Sequence, residues 1–396
     1  MNAKAVIVIG FLLAVGAIFF FQWKNKQQTW PSGSLQSGAS VKGSKDAVEI
    51  SFLYSTEKKE WIEASTSAFT KEHPDISVKL LGKGSLDAAQ ALVDGKEKPI
   101  LWSPADSLVL NLGGADYETK TGARLFAPEG SEDAPQALVI TPLVFVVWED
   151  RAQVLLKAGK GQINWKLLRD AVSSNQGWSA IGGNPDWGFV KLGHTDPTRS
   201  NSGLNALLSM TLEYYKKTAG LQVADLLKPE YQAFIRDIEK GVTGFGASTG
   251  TFMTDMIRFG PSKYDVAFVY ENLAIAEVEN AQGRWGNLKV YYPATTLWSD
   301  HPVAILEGSW VTDAAKKAAR TYVKFLRSRP VQEQALAFGF RSADPSVPLK
   351  TADARNPFTR LAQYGIQIDI PPAAAAPSGA LVKNLLTMWS RVVGNR

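Results

Sequence analysis

The chain reads Gly193-His194-Thr195-Asp196-Pro197-Thr198-Arg199-Ser200-Asn201-Ser202-Gly203-Leu204 between a short apolar run and a strongly periodic segment. The apolar run, residues 189–192, predicts a strand, and apolar residues from 204 to 215 recur at helical spacing. The Ser, Thr, Asn and Gly between them are residue types that cap helix N-termini. A helix that begins here offers unpaired N–H groups and the positive end of its dipole, which suits an oxyanion or a polar ligand. Taken alone, the stretch indicates no more than an ordinary capped helix.

The composition is that of a large globular protein. Hydrophobic residues make up 45% of the 396 residues and aromatic residues 10%, which is enough to bury a large core. Because single cores rarely grow past about 250–300 residues, we expect two lobes. The sequence has no cysteine, which excludes disulfides, thiolate metal sites, cysteine nucleophiles and a lipidated N-terminal cysteine.

The N-terminus predicts a membrane anchor. Residues 5–21 form an uninterrupted apolar run, within the roughly 17–25 residues that span a bilayer. Residues 19–24 are bulky and lack the small side chains of a signal-peptidase site. We therefore expect an uncleaved signal-anchor transmembrane helix over residues 1–26, with a cleaved signal peptide as the alternative. The polar, Gly/Ser-rich residues 27–46 predict a flexible linker.

From Val48 onward, strand and helix patterns alternate. Strands are predicted at residues 48–54, 76–81 and 99–102, each followed by a helical pattern. This order predicts a parallel sheet covered by helices. Ligands of such sheets bind beyond the carboxyl ends of the strands, where Ser55, Thr56 and Ser103 are expected. Pro104 is expected in the first turn of the next helix.

Two long apolar strands bracket a second α/β unit. The first, residues 137–148, is predicted as one long strand or as two strands joined by a bend at Pro142, and the second is predicted at residues 302–311. Between them the patterns predict helices near 150–158, 164–174 and 225–240, a short helix after Gly250, and strands at 265–270 and 288–292. Such a chain crosses twice between lobes, with a hinge at each crossing. The predicted domains are lobe 1, residues 47–141 plus 303–396, and lobe 2, residues 142–302.

Three stretches resemble the extracytoplasmic solute-binding proteins of bacterial ABC transporters in their two-lobe form. They are Thr195–Gly203, Val266–Glu271, and a closing segment of a strand and two helices that ends in Phe338-Gly339-Phe340-Arg341. The similarity covers residues 47–390. It is closest to binding domains that in some relatives precede a von Willebrand A domain, although this sequence has no Asp-x-Ser-x-Ser metal site.

The resemblance implies a type II, two-lobe periplasmic-binding-protein-like α/β fold with two hinge crossovers. It also implies capture of a small polar or oxyanionic ligand between the lobes, without catalysis or a cofactor. The ligand positions carried over from the family are Ser55, Thr56, Ser103, Thr198, Ser200, Asn201, Ser202 and Tyr270. Each has a structural alternative, because the hydroxyls also suit helix caps and Tyr270 suits a hinge or a core.

The expected setting is the extracytoplasmic face of the cell membrane. There the soluble domain would be held by a single membrane pass. The expected partners are the ligand, the membrane and an ABC permease, and the expected process is uptake or sensing of the ligand.

One motif supports a different function. Gly246-Ala247-Ser248-Thr249-Gly250 matches the Gly-x-Ser-x-Gly nucleophile elbow of hydrolases. Asp265 or Asp300, and then His301, follow Ser248 in the chain order of a catalytic triad. The residues before Gly246 predict a helix, whereas an elbow needs a buried strand to present its hydroxyl. A serine hydrolase that uses Ser248 and His301 is therefore the alternative to a binding protein.

Metal and nucleic-acid sites are not predicted. The three histidines, His73, His194 and His301, lie in different segments without the spacing of metal ligands. Three lysines supply +3 of the net charge of +5, and no acidic residue lies among the first 30 residues, so residues 31–396 carry 5 − 3 = +2. The aromatic residues are not interleaved with a basic stripe.

Overall fold

The computed structural model describes residues 40–41 and 47–394. The predicted signal-anchor over residues 1–26 and most of the predicted linker over residues 27–46 lie outside the described residues. Within the described ranges, no helix is both long enough and apolar enough to cross a membrane.

The strands of the described ranges are β1 Ser40–Val41, β2 Val48–Tyr54, β3 Ile76–Gly82, β4 Leu101–Ser103, β5 Gln136–Ala137, β6 Val139–Trp148, β7 Leu192–Gly193, β8 Val266–Tyr270, β9 Leu288–Tyr291, β10 Trp298–Ser299, β11 Pro302–Ile305 and β12 Arg341–Ser342. The α-helices are α1 Lys59–Glu72, α2 Ser85–Val93, α3 Ser107–Thr121, α4 Glu149–Ala158, α5 Trp165–Val172, α6 Asn201–Tyr215, α7 Val223–Leu226, α8 Pro229–Glu239, α9 Thr249–Phe259, α10 Glu271–Glu277, α11 Asp313–Leu326, α12 Arg329–Ala337, α13 Pro357–Arg360 and α14 Gly379–Val393. A 3₁₀ turn, Thr56–Lys58, joins β2 to α1.

The first sheet has the strand order β1-β3-β2-β4-β11-β5. Its centre is parallel, as predicted, because β2 pairs in parallel with β3 and β4. The outer strands β1, β11 and β5 pair antiparallel. Its core is apolar on the face that packs against α1 and α11, where Phe52, Phe69 and Tyr322 stack edge to face.

The second sheet has the order β10-β6-β8-β7, and β9 and β12 also pair with β6. Strand β6 is buried along nine of its ten residues, which explains why it reads as a continuous apolar run. The pairing is antiparallel except between β7 and β8. The described residues therefore form a mixed α/β fold with two sheets.

The chain passes from the first sheet to the second and back to the first, and it later returns to the second sheet at β12. The first passage is at Leu138, between β5 and β6, and the second is at residues 300–301, between β10 and β11. The two passages touch, because the backbone N–H of Leu138 donates to the carbonyl oxygen of His301 at 3.3 Å. The alternative of two strands joined by a bend at Pro142 is wrong, and the alternative of one long strand is confirmed: Pro142 lies inside β6, paired with Trp298.

Three further predictions of local structure are wrong. The second long strand ends at Ile305, because a turn at residues 308–310 follows it. The helix predicted at residues 225–240 is two helices, since Pro229 lacks a backbone N–H and begins a new one. Pro104 precedes its helix: α3 begins at Ser107, with the side chain of Asp106 accepting from the backbone N–H of Leu108 at 2.8 Å.

The closing helix α14 packs on α7 and α8. A buried polar contact fixes it there: the indole N–H of Trp389 donates to Glu239 at 2.7 Å, and the other carboxylate oxygen of Glu239 lies 3.0 Å from Nε2 of His194. Helix α14 therefore packs on helices α7 and α8, which lie in the predicted lobe 2, whereas α14 itself belongs to the predicted lobe 1. The lobe boundaries themselves stay a prediction.

Candidate ligand site between the two sheets

The opening stretch folds as a strand, a loop and a helix, as predicted. The strand, β7, is only two residues long, and α6 begins at Asn201 with Ser200 in the N-cap position. The loop packs closely on the start of α6. A Cβ atom placed on Gly203 would lie 2.2 Å from the carbonyl oxygen of Thr195, so this contact requires glycine.

Four buried hydroxyl groups lie together where this loop meets the start of α9. Oγ of Ser202 lies 2.6 Å from Oγ1 of Thr195 and 3.3 Å from Oγ of Ser200, and it also contacts Thr249. The Ser200 hydroxyl does not cap α6 and lies 3.3 Å from Oγ1 of Thr249. These hydroxyls therefore satisfy one another across two helix starts.

We expect Ser202→Ala to lower the free energy of unfolding by about 1 kcal/mol, because the hydroxyls of Thr195 and Thr249 lose their shared partner. Urea denaturation measures this loss. The exposed Ser390→Ala on α14 is the control and is expected to match the wild type. An unchanged stability of Ser202→Ala would contradict the shared hydrogen bonds.

Contacts between loops of the two sheets form an outer lip. Oγ1 of Thr56 lies 2.6 Å from Oγ of Ser248, which is the N-cap residue of α9. The guanidinium of Arg199 donates to Asp87 at 3.1 Å, and its carbonyl oxygen accepts from the backbone N–H of Asp87 at 3.4 Å. The lip thus ties the loops after β2 and β3 to the two helix starts of the second sheet.

Behind the lip lies a continuous set of polar side chains from both sheets and from the second passage between them. We call this set the inter-sheet network. Its members are Ser55, Glu57, Lys58, Ser103, Asp106, Asn201, Asn205, Tyr270, Asn272, Ser299, Asp300 and His301.

Lys58 is at the centre of the network and is fully buried. Its ammonium group donates to Ser55 and lies 3.2 Å from each of three atoms, the carbonyl oxygens of Ser103 and Pro104 and Nδ1 of His301. Burial lowers the pKa of Lys58 to about 8, although the neighbouring Glu57 carboxylate opposes this shift.

Glu57 and His301 complete this charged group. Burial tends to raise the pKa of Glu57, but the charge of Lys58 and the hydrogen bond with His301 outweigh it and lower this pKa to about 2. For His301, burial and the nearby Lys58 charge lower the pKa to about 4. At neutral pH the group therefore holds one ammonium, one carboxylate and one uncharged imidazole.

On the other side of the network, Asp106 connects the first sheet to α6. Its Oδ2 accepts from the amide of Asn205 at 3.2 Å and from the hydroxyl of Ser299 at 3.4 Å. Burial and the charge of Asp300 raise the pKa of Asp106 to about 6. The amide of Asn201 donates to the Tyr270 hydroxyl at 2.9 Å, and so joins α6 to the end of β8.

Five buried polar atoms of the network have no hydrogen-bond partner within the described part of the chain. They are Oγ of Ser103, Oδ1 of Asn201, Oδ1 of Asn205, Oδ1 of Asn272 and Nε2 of His301. Leaving such an atom unsatisfied costs about 1–3 kcal/mol, so most buried polar atoms have a partner in the protein, in water or in a ligand. This cluster marks the inter-sheet network as the candidate ligand site.

The structure brings most of the predicted site residues to this region. Ser55, Ser103, Asn201 and Tyr270 belong to the network, Thr56 to the lip, and Ser200 and Ser202 to the hydroxyl cluster. Thr198 is apart from them: it is exposed, and its hydroxyl donates to Asp196 at 2.7 Å.

Sequence reasoning missed the charged members of the network and two of its amides, Asn205 and Asn272. Glu57 and Lys58 follow the buried strand β2 within four residues, and Asn272 follows β8 by two, so closeness to a strand end is a signal that could have pointed to these three. Asn205 offered no such signal, since it lies within α6, which begins four residues earlier.

The geometry does not assemble the alternative catalytic triad. Nδ1 of His301 lies 3.2 Å from Lys58 and 3.3 Å from Glu57, while the hydroxyl of Ser248 contacts Thr56. Among the described residues, no cluster of three or more His, Cys, Asp or Glu side chains could hold a metal ion.

Comparison with known proteins identifies a family. Residues 50–341 match the family model described as bacterial extracellular solute-binding protein. A search of curated proteins found no match.

Several solved structures have a similar fold. The sulfate-binding protein SubI from Mycobacterium tuberculosis is 17% identical, with a TM-score of 0.54 over 85% of this chain and 96% of that one. A periplasmic thiamin binding protein is 13% identical, with a TM-score of 0.58 over 90% and 100%. The ferric binding protein from Campylobacter jejuni is 12% identical, with a TM-score of 0.57 over 86% and 98%. At these identities the likeness shows a periplasmic-binding-protein-like fold.

Proposed function

Because the chain belongs to the family of bacterial extracellular solute-binding proteins, we propose that it captures a small polar or oxyanionic ligand between two lobes for ABC-type uptake or sensing. The family and the structural neighbours are transport binding proteins, and the chain is accordingly not an enzyme. The observation that most supports capture between lobes is the group of five unpaired polar atoms, which come from elements of both sheets and from the passage between them.

The proposed lobes are residues 47–141 plus 303–396 and residues 142–302. The two touching passages of the chain would serve as the hinge. The Thr56–Ser248 and Arg199–Asp87 contacts would exist only when the lobes are closed. Because a ligand shifts a conformational equilibrium through contacts specific to one form, these lip contacts would contribute to ligand affinity.

The proposed setting is the outer face of the cell membrane. An extracellular domain fits the family. The apolar residues 5–21 and the polar residues 27–46 support attachment by a single membrane pass and a linker. A tethered binding protein would deliver its ligand to a permease or report its presence as a sensor.

Thermal-shift screening of the purified full-length chain tests the binding function. The panel contains oxyanions, amino acids, sugars and polyamines. We expect at least one compound to raise the melting temperature, because a ligand that binds only the folded state stabilises it by mass action. A panel without any stabilising compound would argue against solute binding.

The lip gives a sharper prediction. We expect Ser248→Ala to weaken the affinity for a ligand found in that screen by about fivefold, because it removes one hydrogen bond of the closed form. Isothermal titration calorimetry measures the change. The control is Thr254→Ala, an exposed hydroxyl of the same helix α9. Equal affinities for both variants would show that the lip contact does not stabilise the closed form.

A further inference from the structure

The amide of Asn272 has an orientation that its partner fixes. Its Nδ2 donates to the backbone carbonyl oxygen of Glu57 at 3.1 Å. A carbonyl oxygen only accepts hydrogen bonds, so the reverse orientation would place two acceptors against each other. The buried, unpaired atom of Asn272 is therefore its amide oxygen, which accepts and cannot donate.

Asn205 is fixed in the same way by a different partner. Its Nδ2 donates to the carboxylate of Asp106 at 3.2 Å. An ionised carboxylate also only accepts, so the amide oxygen of Asn205 faces away from it. This oxygen is buried and has no partner within the described residues. Two positions in the network thus require a hydrogen-bond donor.

The charges of the network point in the same direction. Lys58 is its one cationic side chain, and the hydroxyl of Ser55 and the carbonyl oxygens of Ser103 and Pro104 occupy its three N–H donors, with the carboxylate of Glu57 nearby. Glu57, Asp106 and Asp300 are carboxylates, so the network has more negative than positive groups. A bound anion would find no unused ammonium here.

We infer that the ligand carries N–H or O–H donors and no net negative charge, as a hydroxylated or ammonium-bearing solute does and a fully deprotonated oxyanion does not. This inference rests on the proposed function. A deprotonated oxyanion offers acceptors alone, so it would leave the oxygens of Asn205 and Asn272 unpaired beside further acceptors. Hydroxyl or ammonium groups of a ligand supply the donors that these two oxygens lack.

The experiment compares probes of the two kinds on the full-length chain in detergent at constant ionic strength. Sorbitol represents neutral hydroxylated solutes, spermidine represents ammonium-bearing ones, and sulfate and molybdate represent deprotonated oxyanions. We expect sorbitol or spermidine to raise the melting temperature and the two oxyanions to leave it unchanged. The probe that binds shows which source of donors the site takes.

Two variants connect binding to the fixed oxygens. Asn205→Ala and Asn272→Ala are each expected to raise the dissociation constant of the bound probe about tenfold. This change corresponds to the loss of one hydrogen bond of about 1.4 kcal/mol. The exposed Asn384→Ala on α14 is the control and keeps the wild-type constant. The melting temperature of each variant without probe shows whether it folds. If one of the two does not fold, the other is sufficient for the test.

The outcomes separate the inference from the function on which it rests. Stabilisation by sulfate or molybdate would overturn the inference and leave the solute-binding function in place, with the N–H groups at the start of α6 as the anion site. Binding of sorbitol or spermidine that both asparagine variants leave unaltered would also overturn it. If none of the four probes binds, the inference loses its support, whereas the proposed function is contradicted only when the whole screening panel also fails to stabilise the protein.

Discussion

Replacing Lys58 by methionine is expected to lower the free energy of unfolding by about 3–5 kcal/mol, the usual cost of removing one partner from a buried ion pair. Methionine has a similar length and fits the buried space of the lysine stem. The loss arises because the Glu57 carboxylate stays buried without its counter-charge, and because several acceptors around the ammonium lose their donor. Urea denaturation at pH 7 measures the change.

The acid side of the stability curve gives a second measurement. In the wild type the pKa of Glu57 is lowered from 4.5 to about 2, so its ionised form stabilises the fold above pH 4.5. This contribution is lost as the pH falls toward 2, because the unfolded chain then binds a proton that the folded chain does not. In Lys58→Met, burial without the counter-charge raises the pKa of Glu57, so this group's contribution to the slope changes sign.

Two controls identify the cause. Lys166→Met removes an exposed lysine paired with Asp170, and its effect is expected to stay within about 0.5 kcal/mol. The double variant Lys58→Met with Glu57→Gln removes both charges and is expected to recover part of the loss. If Lys58→Met were as stable as Lys166→Met, the network would not depend on its ion pair.

The fold could be predicted where burial leaves a pattern in the sequence. Strands β2, β3 and β6 are largely buried under helices, β6 almost throughout, and this burial requires the apolar residues that the sequence shows. Pro142 does not break β6, because it pairs with Trp298 on the short strand β10. Proline is compatible with a pairing of this kind at the sheet margin, so the residue type alone could not decide between one long strand and a bend.

The candidate site could be predicted only in part. Hydroxyls near strand ends carry a local signal that pointed to Ser55 and Ser103, whereas Tyr270 was carried over from the family resemblance. The pairing of Lys58 with His301 joins residues 243 positions apart, and the pairing of Asn272 with Glu57 joins residues 215 apart. Such contacts depend on how the two sheets meet, which no local pattern states. Thr198 has the expected residue type, but its hydroxyl bonds within its own turn.

The closing Gly339-Phe340-Arg341 motif has a physical explanation. Gly339 has a φ of 78°, and a Cβ atom there would lie 2.9 Å from the side chain of Ile275. The ring of Phe340 packs edge to face on His301, with centroids 5.4 Å apart. Arg341 forms two hydrogen bonds of 2.8 Å with the fully buried carboxylate of Glu271. The motif therefore fastens the segment after α12 to the network and to the start of α10.

Replacing Arg341 by methionine is expected to lower the free energy of unfolding by about 3–5 kcal/mol, because Glu271 is left buried without its counter-charge and keeps the hydrogen bond from Tyr292. The variant also removes the donors that Arg341 gives to the carbonyl oxygens of Gln367 and Ile368, at 2.6 and 2.7 Å. Since Glu271 directly precedes Asn272, the loosened helix start is also expected to weaken ligand affinity. Urea denaturation and calorimetric titration measure the two effects.

The matched control for this prediction is Arg355→Met, which removes an exposed arginine bonded to Asp353. Its stability is expected to stay within error of the wild type, because an ion pair in solvent contributes little. The double variant Arg341→Met with Glu271→Gln removes the buried charge as well, so it should be more stable than Arg341→Met alone. If Arg341→Met unfolded at the same urea midpoint as the double variant, the buried charge of Glu271 would not be the cause of the loss in stability. If all three variants bound the ligand with the wild-type affinity, the Gly339-Phe340-Arg341 motif would stabilise the fold without contributing to the binding site.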